Sequence, residues 1–403
     1  LSRTSSTNWA TKPSEEPKSD YPIGMDTLNW NRAATCAHPA PGVEAAMIQG
    51  LHAPDSGRGS NNESTGERLH SIRQCAGRLF GFAATERIIF TSGATYGLNL
   101  AIHGGILSGS RVLTTTYEHN AVLRPVVRRA EDHDCSIEIL PFDDFGVLDL
   151  EILAAELKKG ADWLVMGVAS NLMGTIQPFQ EACAMAKAAG TRVILDLAQG
   201  GGYFPIDLDA LGVSYASIAG HKGLHGPRGI GLLFVARDCE PTALVQGGTG
   251  LDGLNLGMCT EWPQRLEVGT PNYPGIFGLG AALEHLEAHP VDLDGPRRRM
   301  AMLETLLRVD SDFEIFPREP VSWSKRLPIL ALQSKSVASS LMAHWISQAG
   351  LEVRSGDMCA AKATPQLGVP EGLLRLSPPL AATDSDYERV YALLLEARDS
   401  LSD

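Results

Sequence analysis

The sequence contains no apolar run near the roughly 18 residues that a membrane-spanning helix needs, which argues against a helical membrane protein. It also lacks a basic-then-apolar start. Residues 1 to 22 are Ser, Thr, Pro and charged side chains with almost nothing to bury, so they predict a flexible tail rather than a leader, and a cytoplasmic protein. Basic residues are in short supply: 34 Lys and Arg stand against 47 Asp and Glu, giving a formal charge of −13 with no basic cluster. That balance speaks against a nucleic-acid or anionic-membrane partner and for a small-molecule site. Cysteines are few and odd in number. Cys36, Cys75, Cys135, Cys183, Cys239, Cys259 and Cys359 show no C-x-x-C spacing and read as reduced thiols, mostly packing residues, with no metal set among them.

What is present is length and a patterned centre. At 403 residues the protein is too long for one ordinary compact unit, so two domains are expected. Val193, Ile194 and Leu195 form a β-branched and apolar run that stops at Asp196, the pattern of a buried parallel strand delivering a carboxylate at its C-terminal end. Ligands of open α/β sheets sit at such ends. A second short strand, Tyr215 to Ile218, leads into His221 and Lys222 and then into Gly223, Gly226, Gly229 and Gly231. A lysine walled by glycines can be stripped of water and approached closely. Asp196 and Lys222 together suit pyridoxal phosphate, the amine forming the Schiff base and the carboxylate holding the pyridine nitrogen protonated, although a plain ion pair would explain the same two residues.

Further along, Arg87 to Phe90 reads as a strand, followed by Thr91-Ser92-Gly93-Ala94-Thr95 and a helix. Strand, small-residue turn and helix N-terminus make an anion site, because free backbone N–H groups and the positive helix end face the ligand. Strands at Arg111 to Thr115 and Trp163 to Val168 alternate with helical stretches at Leu148 to Leu157 and Gln180 to Ala189, which predicts right-handed βαβ units and a mostly parallel sheet. Glu67 to Phe80 has helical apolar spacing and reads as a packing helix. The C-terminal part carries strands at Leu327 to Leu332, near Val353 and at Leu373 to Leu376, with helices at Val337 to Gln348 and Tyr387 to Ala397.

D-L-A-Q followed by G-H-K-x-x-H-G-P-x-G-I-G resembles the class V aminotransferase family of fold type I pyridoxal enzymes, and within it the cysteine desulfurase and selenocysteine lyase branch. The resemblance runs from about Asn29 to Leu394. It implies an α/β fold: a large domain with a mostly parallel central sheet flanked by helices, plus a smaller C-terminal α/β domain. On that reading, residues 1–22 are tail, 23–275 the pyridoxal-binding domain, and 276–403 a linking helix and the small domain.

The resemblance also assigns roles. T-S-G-A-T is the family's phosphate loop, so Gly93, Ala94 and Thr95 hold the cofactor phosphate. His119, in E-H-N-A-V, stacks on the pyridine ring; Asn171 and Gln199 lie near the phenolic oxygen, with Asn171 also near the substrate; His221 and Lys222 are the family's H-K pair. The segment N-R-A-A-T resembles the family's D-N-A-A-T, which places the backbone at Ala34 beside the substrate while Asn31 and Arg32 depart from the usual Asp and Asn. Ala219 stands where a phosphate-binding serine is usual. G-G-T-G around Thr249 and E-V-G-T-P-N from Glu267 imply that each site is completed by a second copy, hence a homodimer. Arg375 matches the clamp for the substrate α-carboxylate. Cys359, in R-S-G-D-M-C-A, matches the sulfur-accepting cysteine, with Asp357-Met358 and Ala361 departing from the pattern.

The implied activity is that of a cysteine desulfurase acting on the C–S bond in the side chain of cysteine or a related amino acid, through Lys222 and a Cys359 persulfide, with a sulfur-acceptor protein as a further partner. A β-eliminating C–S lyase, another side-chain lyase or epimerase, and an aminotransferase are the alternatives that keep the cofactor. A scaffold that had given up catalysis would be expected to have lost Lys222 or Asp196.

Overall fold

The computed structural model describes residues 28–36, 38–54, 63–250 and 254–402; the expected tail at 1–22 lies outside the described residues. Seven strands make the main sheet: β1 (Ile88–Thr91), β2 (Arg111–Thr115), β3 (Ser136–Leu140), β4 (Trp163–Gly167), β5 (Arg192–Asp196), β6 (Tyr215–Ala219) and β7 (Gly231–Val235). Their spatial order is β1-β7-β6-β5-β4-β2-β3. β7 runs antiparallel to both neighbours and every other pairing is parallel, so the expected mostly parallel sheet is found with one reversed strand inside it.

β5 and β6 lie at the middle of this sheet. Val193, Ile194 and Leu195 are at most 2% exposed, because helices cover both faces, and that coverage is why the run is continuously apolar instead of alternating. β4 pairs β5 with Gly167 opposite Asp196, and β5 pairs β6 with Asp196 opposite Ser217. The ladder register therefore brings the C-terminal ends of these strands to one edge.

The helices around it are α1 (Val43–Leu51), α2 (Glu63–Leu79), α3 (Ala94–Gly105), α4 (Asn120–His133), α5 (Leu150–Lys158), α6 (Phe179–Ala188) and α7 (Tyr273–Ala288). α3 rests on β6 through Gly97, where a Cβ would come within 2.2 Å of the Ser217 hydroxyl. No other residue allows so close an approach. Ser217 Oγ then donates to the carbonyls of Ala94 at 3.1 Å and Leu232 at 3.2 Å, pinning the start of α3 over the sheet.

The C-terminal part has its own sheet and core. Strands β8 (Phe313–Phe316), β9 (Leu330–Ser334), β10 (Arg354–Gly356) and β11 (Leu373–Leu376) form an antiparallel sheet in the order β10-β11-β9-β8. Helices α8 (Asp294–Val309), α9 (Ser339–Gln348) and α10 (Asp384–Leu401) pack with it around Leu303, Leu330, Leu374 and Val390. Trp30, from the N-terminal end of the described residues, belongs to this core: it is fully buried and meets Tyr387 edge to face at 4.7 Å. Leu28 and Asn29 pair in parallel with Leu351 and Glu352, and Ser377 N–H donates to the Trp30 carbonyl at 2.8 Å. α7 packs its buried residues Ile276, Leu279 and Leu283 into the core of the larger unit. We propose that the two units part where the sequence divides them, at the entry to this helix, with α7 as the strut between them.

Candidate active site

The strand ends open into a cavity of about 550 Å³ lined by residues of the α3 start, the β2–α4 turn, β4, β5 and the loop after β6. Gly93, Ala94, Thr95, His119, Asn171, Asp196, Gln199, His221 and Lys222 are all on its wall. Nine sequence-predicted residues thus meet in one place. Ala34, Thr249, Arg375 and Cys359 are not on that wall.

One end of the cavity is the start of α3. Its N-cap, Gly93, has no side chain to cap the helix, so the first N–H groups face the cavity with the positive end of the helix behind them. Thr95 is exposed beside them and Ser92 joins the wall, which offers hydroxyls although Ala219 brings none.

The floor carries the two charges. Asp196 is 7% exposed and its Oδ1 accepts from Ala198 N–H at 2.8 Å. Burial pushes its pKa up, while that hydrogen bond and Lys222 pull it down. Lys222 is half-buried and forms no ion pair within 4 Å among the described residues. Loss of water around its amine, opposed by Asp196 and aided by the nearby Arg375 and Arg354, holds its pKa down to about 8. Behind the lysine, Gly223 lies so close to Gly201 that a Cβ would stand 2.2 Å from the Gly201 carbonyl oxygen, so a glycine is required to fold the loop back onto the sheet.

Two histidines flank the floor as neutral rings. His119 caps α4: its Nδ1 accepts from Ala121 N–H at 2.9 Å, which leaves the ring proton on Nε2. Burial, with Lys222 adding to it, holds His119 down to about 4. His221 is held down to about 4 for the same two reasons, and its Nδ1 lies 3.0 Å from Thr35 Oγ1. Gln199 donates to the Ala33 carbonyl at 2.7 Å, tying the N-terminal loop that contains Ala34 to the cavity.

Glu118 is a wall residue that the sequence reading passed over as part of a motif. It is 1% exposed, accepts from Thr115 Oγ1 at 2.7 Å and from Gly167 N–H at 3.0 Å, and burial pushes its pKa up to about 8. The available signal was an acidic residue directly past a strand end.

The C-terminal unit closes the site from above. Arg375 is 2% exposed; its Nη1 donates to the Asn171 carbonyl at 2.8 Å and its Nη2 to Asn31 Oδ1 at 2.9 Å, while its Nε is buried without a partner. Arg354 stands opposite Arg375 in the β10–β11 ladder, and burial and this second guanidinium both push the Arg375 pKa down. Among the described residues no carboxylate pairs with either cation, an arrangement that suits a carboxylate ligand. Asn171 Nδ2 donates to the Met358 carbonyl at 2.7 Å, and Asn120 N–H donates to the Cys359 carbonyl at 2.7 Å. Met358 and Cys359 both have left-handed backbone, φ 54° and 58°, a strained choice for side chains of this kind that these hydrogen bonds hold in place. Cys359 is half-buried with Arg354 Nη2 at 3.8 Å from its sulfur, and it borders an adjoining cavity of about 370 Å³ that shares His119 and Thr95 with the first.

Pyridoxal phosphate fits these residues. The uncapped helix start suits its phosphate, the buried Asp196 its ring nitrogen, the neutral His119 its ring face, and the partly desolvated Lys222 its aldehyde.

Comparison with known proteins agrees with this reading. A cysteine desulfurase of Salmonella agona (strain SL483) is 28% identical over 95% of this chain and 97% of its own length. The cysteine desulfurase CsdA of Escherichia coli superposes with a TM-score of 0.82 at 26% identity, covering 93% of this chain and 95% of that one. The apo cysteine desulfurase of Thermococcus onnurineus NA1 gives 0.80 at 26% identity over 93% and 95%. Residues 30–390 match the family described as aminotransferase class-V, and the chain is therefore a member of that pyridoxal-phosphate-dependent family.

Proposed function

We propose that the protein is a cysteine desulfurase-like enzyme that cleaves the C–S bond in the side chain of cysteine or a close analogue. The observation that carries this reading is the thiol loop: Met358 and Cys359 are held, by hydrogen bonds from Asn171 and Asn120, against the same helix start that presents His119 to the cavity. Bound here, pyridoxal phosphate supplies a carbonyl for the substrate amine and a sink for the electrons left when the α-proton departs.

The protein's own residues do the rest. The first N–H groups of α3 with Thr95 hold the phosphate, Asp196 keeps the ring nitrogen charged, and His119, Asn171, Gln199 and His221 border the ring. Lys222 Nζ, with its pKa near 8, is free to take the substrate's α-proton and return it. Arg375, its Nε still unpaired, orients the α-carboxylate, and the Ala34 loop closes beside the substrate. The Cys359 sulfur, 3.8 Å from Arg354 Nη2, attacks the substrate sulfur: an S–S bond forms, the Cβ–S bond breaks, and its electron pair stays on carbon, which takes up a proton to give alanine.

Relatives named as cysteine desulfurases support this assignment over other uses of the fold. One observation favours a β-eliminating lyase instead. Cys359 lines the adjoining cavity and not the one containing Lys222, with Asp357 Oδ1 accepting its backbone N–H at 3.2 Å and, among the described residues, no histidine bonded to its sulfur. Incubation with L-cysteine separates the two: alanine and a sulfur adduct on Cys359 by mass spectrometry are expected, with alanine lost in Cys359→Ala. Pyruvate, or normal turnover by that variant, gives the lyase reading the lead.

A homodimer is part of the proposal. Gln246 to Gly248 are exposed on the protein's own surface, Thr249 does not reach its own Lys222 cavity, and Leu254 and Leu256 nearby are 98% and 103% exposed, so this arm is placed to reach a second copy. A sulfur-acceptor protein and a cytoplasmic site of action complete it. No helix among the described residues is long and apolar enough to cross a membrane.

A further inference from the structure

Behind the Lys222 loop lies a second cavity, of about 380 Å³, that the chemistry above does not use. Its titratable lining is Arg32, Cys36, His38, His225, His285 and His289, with no aspartate or glutamate of the described residues on the wall. Leu224, Leu286 and Leu380 make much of the remainder apolar.

Arg32 is 4% exposed. Its guanidinium lies 4.9 Å over the Tyr203 ring, and its Nη2 donates to His225 Nε2 at 2.5 Å. Among the described residues no carboxylate pairs with it. A guanidinium withdrawn from water is costly unless an opposite charge meets it, and here the neighbours supply none. His225 is held neutral by burial, with Arg32 adding to the effect, down to about 4; the Cys36 thiol is pushed up by burial. The histidines do not form a metal centre, since no described group of three or more His, Cys, Asp and Glu could hold an ion. In a protein of formal charge −13, this is a pocket with a single uncompensated cation and greasy walls.

We propose that the cavity binds a small carboxylate with an apolar tail, the acid on Arg32 and the tail against Leu224, Leu286 and Leu380. The ligand would press on the loop that carries the reactive lysine. Cys36 N–H donates to the His221 carbonyl at 2.8 Å, Ala40 N–H to the His225 carbonyl at 2.8 Å, and His225 N–H to the Lys222 carbonyl at 3.0 Å. Lys222 lines the front cavity, while Leu224 and His225 line the rear one. Arg32 departs from the residue usual in the family segment that its surroundings resemble.

Calorimetric titration of the pyridoxal-phosphate-loaded protein with phenylacetate tests the proposal. Wild type should bind it saturably; Arg32→Gln should weaken binding by about tenfold or more, since a charged hydrogen-bond partner is lost. Arg32→Lys, which keeps the charge, should restore part of the affinity. Ala381→Trp, at an exposed rim position, should block the cavity with the fold intact by circular dichroism. Arg375→Ala should leave binding unchanged. Absence of saturable binding, or binding insensitive to both Arg32→Gln and Ala381→Trp, overturns the proposal; binding lost in Arg375→Ala but kept in Arg32→Gln assigns the ligand to the Lys222 cavity and overturns it equally.

Discussion

The floor and the rim of the Lys222 cavity are built by different means. Asp196 ends a strand and Lys222 sits in the glycine-packed loop just past the adjacent strand, in a sheet whose residues are almost wholly buried, so ladder register and close backbone packing set their positions. The rim is made of loops: the left-handed pair Met358 and Cys359, and the N-terminal segment held by Gln199. A register shifts only by whole residues, and a one-residue slip turns every side chain to the other face, whereas a loop can be re-aimed by changing one hydrogen bond. The floor therefore suits chemistry common to a family, and the rim suits the choice of reaction.

Substitutions on the floor should be the most damaging. Lys222→Ala is expected to lower turnover by about 10⁴ or more, since both the covalent anchor and the proton carrier go. Borohydride reduction of the wild type followed by peptide mapping should find the label on Lys222, and a label on another lysine would break the assignment. Asp196→Asn should keep the fold and slow turnover by about 10²–10³, the range seen when one preorganised electrostatic partner is removed. Wild-type rates in that variant would reduce Asp196 to a structural role.

Smaller effects belong to the walls. Arg375→Ala should raise KM by about tenfold to a hundredfold, and amino-acid esters should be poor substrates of the wild type. Equal handling of acid and ester would remove Arg375 from the substrate site. The smallest effect is on stability. The folded state holds His221 down to about 4 against an ordinary 6.5, so as pH falls the unfolded state takes up the proton first, and stability is lost from about pH 6.5 to about pH 4. His221→Gln should flatten that part of the pH dependence of the melting temperature; an unchanged profile would show that His221 does not contribute.

The floor was also the more legible part in the sequence. Val193 to Leu195 ending at Asp196, and Thr91 to Thr95 entering a helix, have patterns that follow from burial on both faces and from helix-end chemistry, and the strands at Arg111–Thr115 and Leu373–Leu376 fall where the sequence places them. Strand Gly231–Val235 was hidden by the glycines before it. Its own residues are all buried, but a run following Gly226 and Gly229 reads as loop, and nothing local announces that it returns antiparallel. Helix Asp294–Val309 was missed because it opens with Gly295, Pro296 and three arginines, although Met300, Leu303 and Leu307 carry helical spacing. The strand near Val353 is two short pairings, Leu351–Glu352 with the N-terminal segment and Arg354–Gly356 with β11. The conformation of the thiol loop was not legible at all, since hydrogen bonds from Asn120 and Asn171, distant in sequence, hold it.

The seating of Trp30 bears on how the protein is made. Its carbonyl accepts from Ser377, 347 residues away, and its ring lies against Tyr387, so an early segment completes the core of the C-terminal unit. On a ribosome that emits the N-terminus first, the partners shown here for residues 28–31 are made only when synthesis reaches residues 350–387. Closing so long a loop costs only slowly growing entropy, but the contact forms late and exposes an indole in the meantime. The large sheet can assemble as it emerges; the small unit must wait for both ends of the described residues.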